Sequence, residues 1–247
     1  MSEEIQRYIP AYKLPNYKDF CPIVPIWGTL QEDNKFLGYT NGKQVEFDQS
    51  ELLNNVGFLV LEIGDVNEDY TVSTAARAVF ESLQALFSAC HNDVRYERIR
   101  TAIELSEYLK VYRKNFSHII LIGHGGVKGI KFLDKGSSIL GSEIAGLLGA
   151  DSHKNEIQII SLCCHSGCNE NANALSRAEN VTEVLAPSKA FDIRWAVHFI
   201  NGYFLNMYLL GKPIEKAVCD AALDKNSTPM TIWKKGEKVF ECKSTSD

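Results

Sequence analysis

The sequence has no long hydrophobic run. None of its apolar stretches approaches the roughly 18 residues that a bilayer-spanning helix needs. Its first residues, MSEEIQRYIP, also lack the basic-then-apolar pattern of a secretory signal. We therefore expect a cytoplasmic protein that makes no contact with a membrane.

The sequence also has no excess of positive charge. Its 26 Lys and Arg residues face 31 Asp and Glu residues, which gives a formal net charge of −5 without a dense basic tract. Proteins that bind the phosphate backbone usually carry a basic patch, so nucleic acid is not an expected partner. Hydrophobic residues at 45% and charged residues at 23% are typical of soluble globular proteins, which excludes disordered and collagen-like classes.

Cysteine is present in an odd number, seven, and three of the seven crowd together as Cys163, Cys164 and Cys168. This pattern is typical of thiols kept for reactivity or metal binding in a reducing compartment. With His165 they offer four donors of the kind that zinc uses. Adjacent cysteines of a strand point to opposite sides, however, and no second Cys-x-x-Cys pair exists. We therefore expect no metal and no other cofactor.

Residues 1–56 differ from the rest of the chain. Two short apolar segments, 36–40 and 43–47, flank Asn41-Gly42. Asn-Gly supplies the two positive φ angles of a type I′ turn, so this stretch predicts a β-hairpin. It is too small to bury a core alone, and we interpret residues 1–56 as an extension packed on a main domain of residues 57–247.

From residue 57 onward, strand patterns alternate with helix patterns. Alternation of this kind indicates an α/β domain with a mainly parallel sheet, here of about six strands, between layers of helices. Apolar residues at helical spacing predict a long helix near residues 72–90, and Thr101 with Glu104 forms a capping box. The polar stretch 168–180 is interpreted as a loop. Strands are predicted at 58–63, 94–99, 117–123, 157–162 and 181–186, and the segments 230–234 and 238–242 predict a terminal strand or hairpin.

Two reactive side chains follow neighbouring strands of this predicted sheet. His124 comes directly after the third strand, and Cys164 comes just after the fourth. Because the carboxyl ends of parallel strands meet at one edge, where α/β sheets bind their ligands, we expect these side chains to lie close together. A thiol is a nucleophile only as thiolate, and a neighbouring imidazole commonly takes up its proton.

Glycines follow the histidine in this sequence. Gly125 and Gly126 let the backbone turn sharply and leave N–H groups uncovered, and such donors can stabilise an oxyanion. The run 123–126 could instead bind a phosphate, but it lacks the Lys-Ser/Thr of a P-loop and the spacing of a dinucleotide fingerprint. Ser166 has no Gly-x-Ser-x-Gly frame, so an α/β-hydrolase elbow is not expected.

The blocks SHIILIGHGGVKGIKFLD and EIQIISLCCHSG resemble the paired motifs of caspase-like cysteine peptidases. The later stretch AFDIRWAVHFINGYFLNMYLLGKPIEKAVCDA is similar to the helical block of the CHAT group, peptidases related to separase and caspases. The resemblance covers about residues 58–223. It implies a caspase-like three-layer fold, no cofactor, and a protein or peptide substrate. It also implies a regulatory protein partner in a prokaryotic defence, such as antiviral defence, or cell-death system.

The resemblance also implies roles for individual residues. Cys164 would be the nucleophile, His124 the general acid and base, and the amides of Gly125 and Cys164 the oxyanion hole. The double cysteine leaves Cys163 as the alternative nucleophile. Asp192 occupies the segment where caspase-like enzymes form part of the specificity pocket, and it would favour a basic residue before the scissile bond. Its alternative role is a helix-terminal charge.

The sequence therefore predicts a cysteine endopeptidase with a Cys-His dyad. The alternative is a protein-interaction module that keeps the same fold but is catalytically silent or dormant.

Overall fold

The structure is a computed structural model of the chain. It describes residues 4–14, 21–40, 42–53, 56–64, 70–87, 93–133, 138–149, 156–222 and 228–242.

The first part of the chain forms a four-stranded antiparallel sheet in the order β1-β2-β3-β4. Thr40 pairs with Lys43 across the turn, and Gly42 has the positive φ of 72° that this turn requires. Asn41 lies outside the described residues. The sequence predicted only the β3–β4 hairpin, which the structure extends by two strands. The four strands are β1 (Ile5–Pro10), β2 (Ile23–Leu30), β3 (Lys35–Thr40) and β4 (Lys43–Asp48).

This small sheet has its own core and rests on the rest of the chain. Ile9, Ile26 and Phe36 are fully buried beneath it. The ring of Tyr12 packs so closely on Gly211 that a Cβ there would lie 2.7 Å from the ring. Gly211, which has a φ of 64°, is thus required both by its conformation and by this contact.

A seven-stranded sheet forms the centre of the molecule, in the order β14-β13-β12-β11-β7-β5-β6. The five strands from β12 to β6 are parallel, whereas β13 and β14 are antiparallel additions at one edge. The prediction of a mainly parallel sheet is confirmed, with one strand more than expected. The strands are β5 (Gly57–Ile63), β6 (Asp93–Ile99), β7 (His118–Gly123), β11 (Ile157–Ser161), β12 (Val181–Pro187), β13 (Met230–Lys234) and β14 (Glu237–Cys242).

Helices cover both faces of this sheet, which gives three layers. The first, fifth and sixth helices pack on one face, and the second, third and fourth pack on the other. The predicted capping box is present, since Thr101 Oγ1 accepts the Glu104 amide at 3.1 Å. The helices are α1 (Tyr70–Phe87), α2 (Ala102–Tyr112), α3 (Gly141–Gly149), α4 (Asn169–Ser176), α5 (Ala196–Phe204) and α6 (Ile214–Ala221).

A small three-stranded sheet stands beyond the carboxyl end of β7. Its strands are β8 (Gly125–Gly126), β9 (Gly129–Lys131) and β10 (Ser138–Ile139), and β9 lies in the middle. The Lys131 amide donates to the His124 carbonyl at 3.0 Å, so this sheet begins at the histidine itself. It therefore fixes the backbone immediately after the predicted catalytic base.

One element differs in type from the prediction. The stretch 168–180 was interpreted as a loop, but residues 169–176 form α4. Its buried face is Asn171, Ala172, Leu175 and Ser176. Asn and Ser favour turns and caps, so a short helix that buries them gives a weak apolar pattern.

The cysteines agree with expectation in part. Cys163, Cys164 and Cys168 are free thiols. Cys219 of α6 and Cys242 of β14 form a disulfide with a Cα–Cα distance of 5.5 Å, which the sequence analysis did not predict. No helix in the described ranges is both long and apolar enough to cross a membrane. A cytoplasmic location stays a prediction.

Candidate active site

Two neighbouring parallel strands end close to the two predicted catalytic residues. Ser161 of β11 pairs with Leu121 of β7, and the Leu162 amide donates to the Leu121 carbonyl at 2.8 Å. His124 directly follows the last residue of β7, and Cys164 lies in the turn that follows β11. Both residues therefore lie at the carboxyl edge of the sheet.

The two adjacent cysteines lie in different environments. Cys163 is fully buried among the residues under α3 and α4, and its thiol lies 3.8 Å from the Leu121 carbonyl. Burial raises the pKa of the Cys163 thiol to about 12, so Cys163 stays protonated. Cys164, in contrast, is partly exposed. Of the two alternatives left open by the sequence, the surroundings favour Cys164 as the nucleophile.

Gly125 brings an amide close to the backbone of Cys164. A Cβ on Gly125 would lie 2.5 Å from the Cys164 carbonyl oxygen and 3.2 Å from the Cys164 nitrogen. Because Lys131 bonds to the His124 carbonyl, Gly125 and Ile130 form a non-hydrogen-bonded pair, and the Gly125 N–H points away from β9. The Cys164 amide donates no hydrogen bond to any residue that the structure describes. The backbone N–H groups of Gly125 and Cys164 thus belong to segments that lie in contact with each other.

The segment after β12 holds the sulfur of Cys164. The Phe191 amide donates to Sγ at 3.3 Å, and Sγ lies 3.7 Å from the Phe191 carbonyl. A left-handed turn at His165, with a φ of 59°, follows Cys164, and the His165 amide bonds to the Lys189 carbonyl at 2.9 Å. The backbone of Phe191 therefore holds the Cys164 sulfur through its N–H and lies close to it through its carbonyl.

A cavity of about 310 Å³ adjoins Phe191. Asp192 lies in its wall, where it caps a short 3-10 turn of Ile193–Trp195 and pairs with Arg194, with 2.5 Å between Oδ2 and Nη2. Hydrogen bonds from Arg194 hold the pKa of the Asp192 carboxyl below its usual range. Asp192 thus lines the cavity and also caps the turn, and its role in a substrate pocket stays a prediction. The lining residues are Phe191, Asp192, Arg194, Trp195, His198, Phe199, Ala221, Ala222, Thr228 and Met230.

Aromatic residues near the start of α5 divide between the cavity and the core. Trp195 is 47% exposed and lines the cavity. His198 is exposed in the same wall. Phe199, Tyr203 and Phe204 are buried. The short turn before α5 rotates Trp195 away from the core face.

Two further residues contribute to the site without a signal in the sequence. Phe191 acts through its backbone, which no side-chain pattern reveals. Asn171 of α4 is buried, accepts the Gly141 amide at 3.1 Å and donates to the Val127 carbonyl at 3.1 Å. It ties the turn after Gly125-Gly126 to the start of α3. Its helix was predicted as a loop, so its position could not be inferred.

No metal cluster accompanies these residues: within the described ranges, no three His, Cys, Asp or Glu side chains are grouped to hold an ion. Cys168, the third free cysteine, points its sulfur toward the Ser188 carbonyl at 3.6 Å.

Comparisons with known proteins found no matching family model and no matching curated protein. Among solved structures, the chain is similar to an inactive zymogen C11 protease from Parabacteroides distasonis, with 11% identity and a TM-score of 0.48. The alignment covers 73% of this chain and 62% of the C11 protease chain. This chain therefore spans less than two thirds of the length of the C11 protease. A likeness of this size carries no argument about chemistry, and membership of the CHAT group stays a prediction.

Proposed function

We propose that this chain is a cysteine endopeptidase in which Cys164 is the nucleophile and His124 the general acid and base. The observation that carries the proposal is the parallel pairing of β7 and β11, since His124 directly follows β7 and Cys164 lies just beyond the end of β11. The backbones of Gly125 and Cys164 lie close together at the same edge, and a cavity begins at Phe191. A nucleophile, a base, oxyanion donors and a side-chain pocket are the parts that acyl transfer needs.

The proposed reaction proceeds through an acyl-enzyme. His124 takes the Cys164 proton, and the thiolate attacks the peptide carbonyl carbon, forming a C–S bond. The negative charge on the carbonyl oxygen is stabilised by the Gly125 and Cys164 amides. His124 then gives its proton to the departing nitrogen as the C–N bond breaks. Water adds to the acyl carbon, His124 accepts its proton, and loss of the C–S bond restores Cys164.

The proposed reaction requires the Cys164 sulfur to leave its contact with Phe191. Catalytic hydrogen bonds are often long or unmade until substrate binds. A peptide seated along the segment after β12 would compete for the Phe191 N–H and carbonyl groups. We infer that the sulfur exchanges between Phe191 and His124, and that a bound peptide shifts it toward His124.

The wider role rests on the resemblance to CHAT-type peptidases alone. We propose on that basis that a protein partner or sensor controls the enzyme within a prokaryotic defence or cell-death system. Asp192 is proposed as a residue of the substrate pocket because it lines the cavity next to Phe191.

The test is cleavage of a fluorogenic peptide library by wild type and by two matched cysteine variants. We expect Cys164→Ala to lower the rate by at least about a thousandfold, since it removes the nucleophile. The neighbouring Cys163→Ala should keep most of the activity. Equal cleavage by wild type and Cys164→Ala, or loss in a folded Cys163→Ala protein only, would refute the assignment.

A further inference from the structure

The cavity beside Phe191 is placed to receive a substrate side chain. Phe191 is bonded through its backbone to the Cys164 sulfur and also forms part of the cavity wall. Its ring meets that of Phe199 at 6.4 Å in an edge-to-face contact. Phe191 therefore links the proposed nucleophile to the cavity. A cavity in this position suits the substrate side chain next to the bond that is cut.

The wall of this cavity is mainly apolar. Six of the lining residues are aromatic or aliphatic: Phe191, Trp195, Phe199, Ala221, Ala222 and Met230. The ring of His198 packs edge-on against Trp195 at 5.8 Å, which adds a further flat surface. Aromatic rings gain energy from offset or edge-to-face partners beyond the burial of their area. The cavity thus favours an aromatic or long apolar group.

Three polar residues of the wall, Asp192, Arg194 and Thr228, already have partners. Arg194 donates from Nε to Asp192 Oδ1 at 2.9 Å and from Nη2 to Oδ2, which forms a two-pronged ion pair. The Thr228 hydroxyl donates to the Ala190 carbonyl. A lysine or arginine of a substrate would have to displace Arg194 from Asp192 and would gain only an ion pair like the one it broke. Asp192 therefore offers little net attraction to a basic side chain.

We propose that this cavity is the specificity pocket for the residue before the scissile bond, and that it takes an aromatic or large apolar side chain. This inference rests on the proposed endopeptidase function. It replaces the basic preference that the sequence suggested for Asp192. In this pocket the Asp192 carboxylate is paired with Arg194, and Trp195, Phe199 and Met230 form the surface that binds the substrate side chain.

The first experiment measures kcat/KM for peptides that differ only in the residue before the scissile bond. Phe, Leu and Met peptides should be cut at least about tenfold faster than Lys and Arg peptides, because an apolar pocket discriminates by the groups it can bury. Asp192→Asn should keep this order. A preference for Lys or Arg that Asp192→Asn abolishes would overturn the assignment.

A pocket-filling variant and its control sharpen the result. Ala222→Leu narrows the cavity and should lower cleavage of the Phe peptide at least about tenfold relative to a peptide with Ala at that position. Ala85→Leu, on the exposed side of α1, makes the same change away from the cavity and should have no such effect. Trp195→Ala provides a second variant that enlarges the cavity, and it should also weaken selection for Phe. Unchanged selection in folded Ala222→Leu and Trp195→Ala proteins would overturn the inference.

A binding measurement separates this inference from the proposed function. In the Cys164→Ala protein, N-acetylphenylalanine amide should change the fluorescence of Trp195, whereas N-acetyllysine amide should not. Trp195→Phe should remove the response, leaving the other two tryptophans silent. A response without any peptide cleavage by wild type would refute the peptidase but support the pocket. Cleavage that needs Cys164, together with no response to the phenylalanine ligand, would refute the pocket alone.

Discussion

The two ends of strand β7 each carry a histidine, and the two side chains have opposite surroundings. At the amino end, His118 is 5% exposed and stacks on Phe58 with 4.8 Å between ring centroids. Its Nδ1 lies 2.8 Å from the Ser117 hydroxyl, and its Nε2 lies 3.0 Å from the Tyr208 hydroxyl. At the carboxyl end, His124 is exposed and is followed by two glycines.

The difference shows how position on the sheet decides what a histidine can do. Tyr208 comes from a π-helical turn, Leu205–Leu209, that follows α5 and helps to close the amino end of the sheet over His118. Burial lowers the pKa of His118 to about 3, so this ring stays neutral and serves packing. At the carboxyl end the side chain of His124 is exposed, and we therefore propose this histidine, not His118, as the catalytic one.

The largest expected effect on activity comes from His124, at the carboxyl end of β7. His124→Ala should lower peptide cleavage by about 10²–10⁴-fold, because it removes the group that carries the proton between thiol and leaving amine. Thermal unfolding should change little, since the side chain is exposed. Steady-state kinetics and a melting curve on the same preparation give both values. A fully active His124→Ala protein would show that His124 does not carry the proton, and it would contradict the functional difference between His124 and His118.

Neighbouring glycines provide a matched pair for the oxyanion site. A methyl group on Gly125 would meet the Cys164 carbonyl at 2.5 Å, whereas one on Gly126 would meet nothing within 4 Å. Gly125→Ala should therefore displace the donors and reduce kcat by about a hundredfold. Gly126→Ala should behave like wild type. If the two variants lose activity equally, the oxyanion hole does not lie between Gly125 and Cys164.

The smallest expected effect concerns His118, at the amino end of β7, and the pH dependence of folding stability. The unfolded chain takes up a proton on His118 near pH 6.5, but the native chain does so only near pH 3. Folding stability contributed by this residue is therefore complete above pH 6.5 and falls by on the order of 1 kcal/mol per pH unit below it. Urea unfolding of wild type and His118→Gln between pH 4.5 and 7 measures the slopes. Parallel slopes in the two proteins would contradict the neutral, buried state of His118.

Much of the fold could be predicted because its signals are local. The buried parallel strands are apolar runs, α1 has a clear helical period, and Thr101 with Glu104 marks the start of α2. The docking of β13 and β14 on the edge of the main sheet could not be predicted, since a hairpin pattern does not say what it pairs with. The disulfide between Cys219 and Cys242 likewise depends on a contact between distant elements.

The candidate site divides in the same way. His124 and Cys164 follow recognisable strands, so their proximity comes from the topology of any parallel sheet. Phe191 contributes backbone atoms, and Asn171 lies on a helix whose polar composition is typical of a loop. The ion pair between Arg194 and Asp192 depends on the short turn before α5, whose geometry the sequence pattern does not specify.

The most direct test of the account is the rate at which iodoacetamide alkylates each free thiol in the folded protein, followed by peptide mass spectrometry. Cys164 should react first, at least about tenfold faster than Cys168, because a neighbouring imidazole can take its proton, and Cys163 should stay unmodified. In His124→Asn, the Cys164 rate should fall at least about tenfold while the Cys168 rate stays constant. Equal rates at Cys164 and Cys168, or a Cys164 rate unchanged by His124→Asn, would contradict a Cys164–His124 dyad.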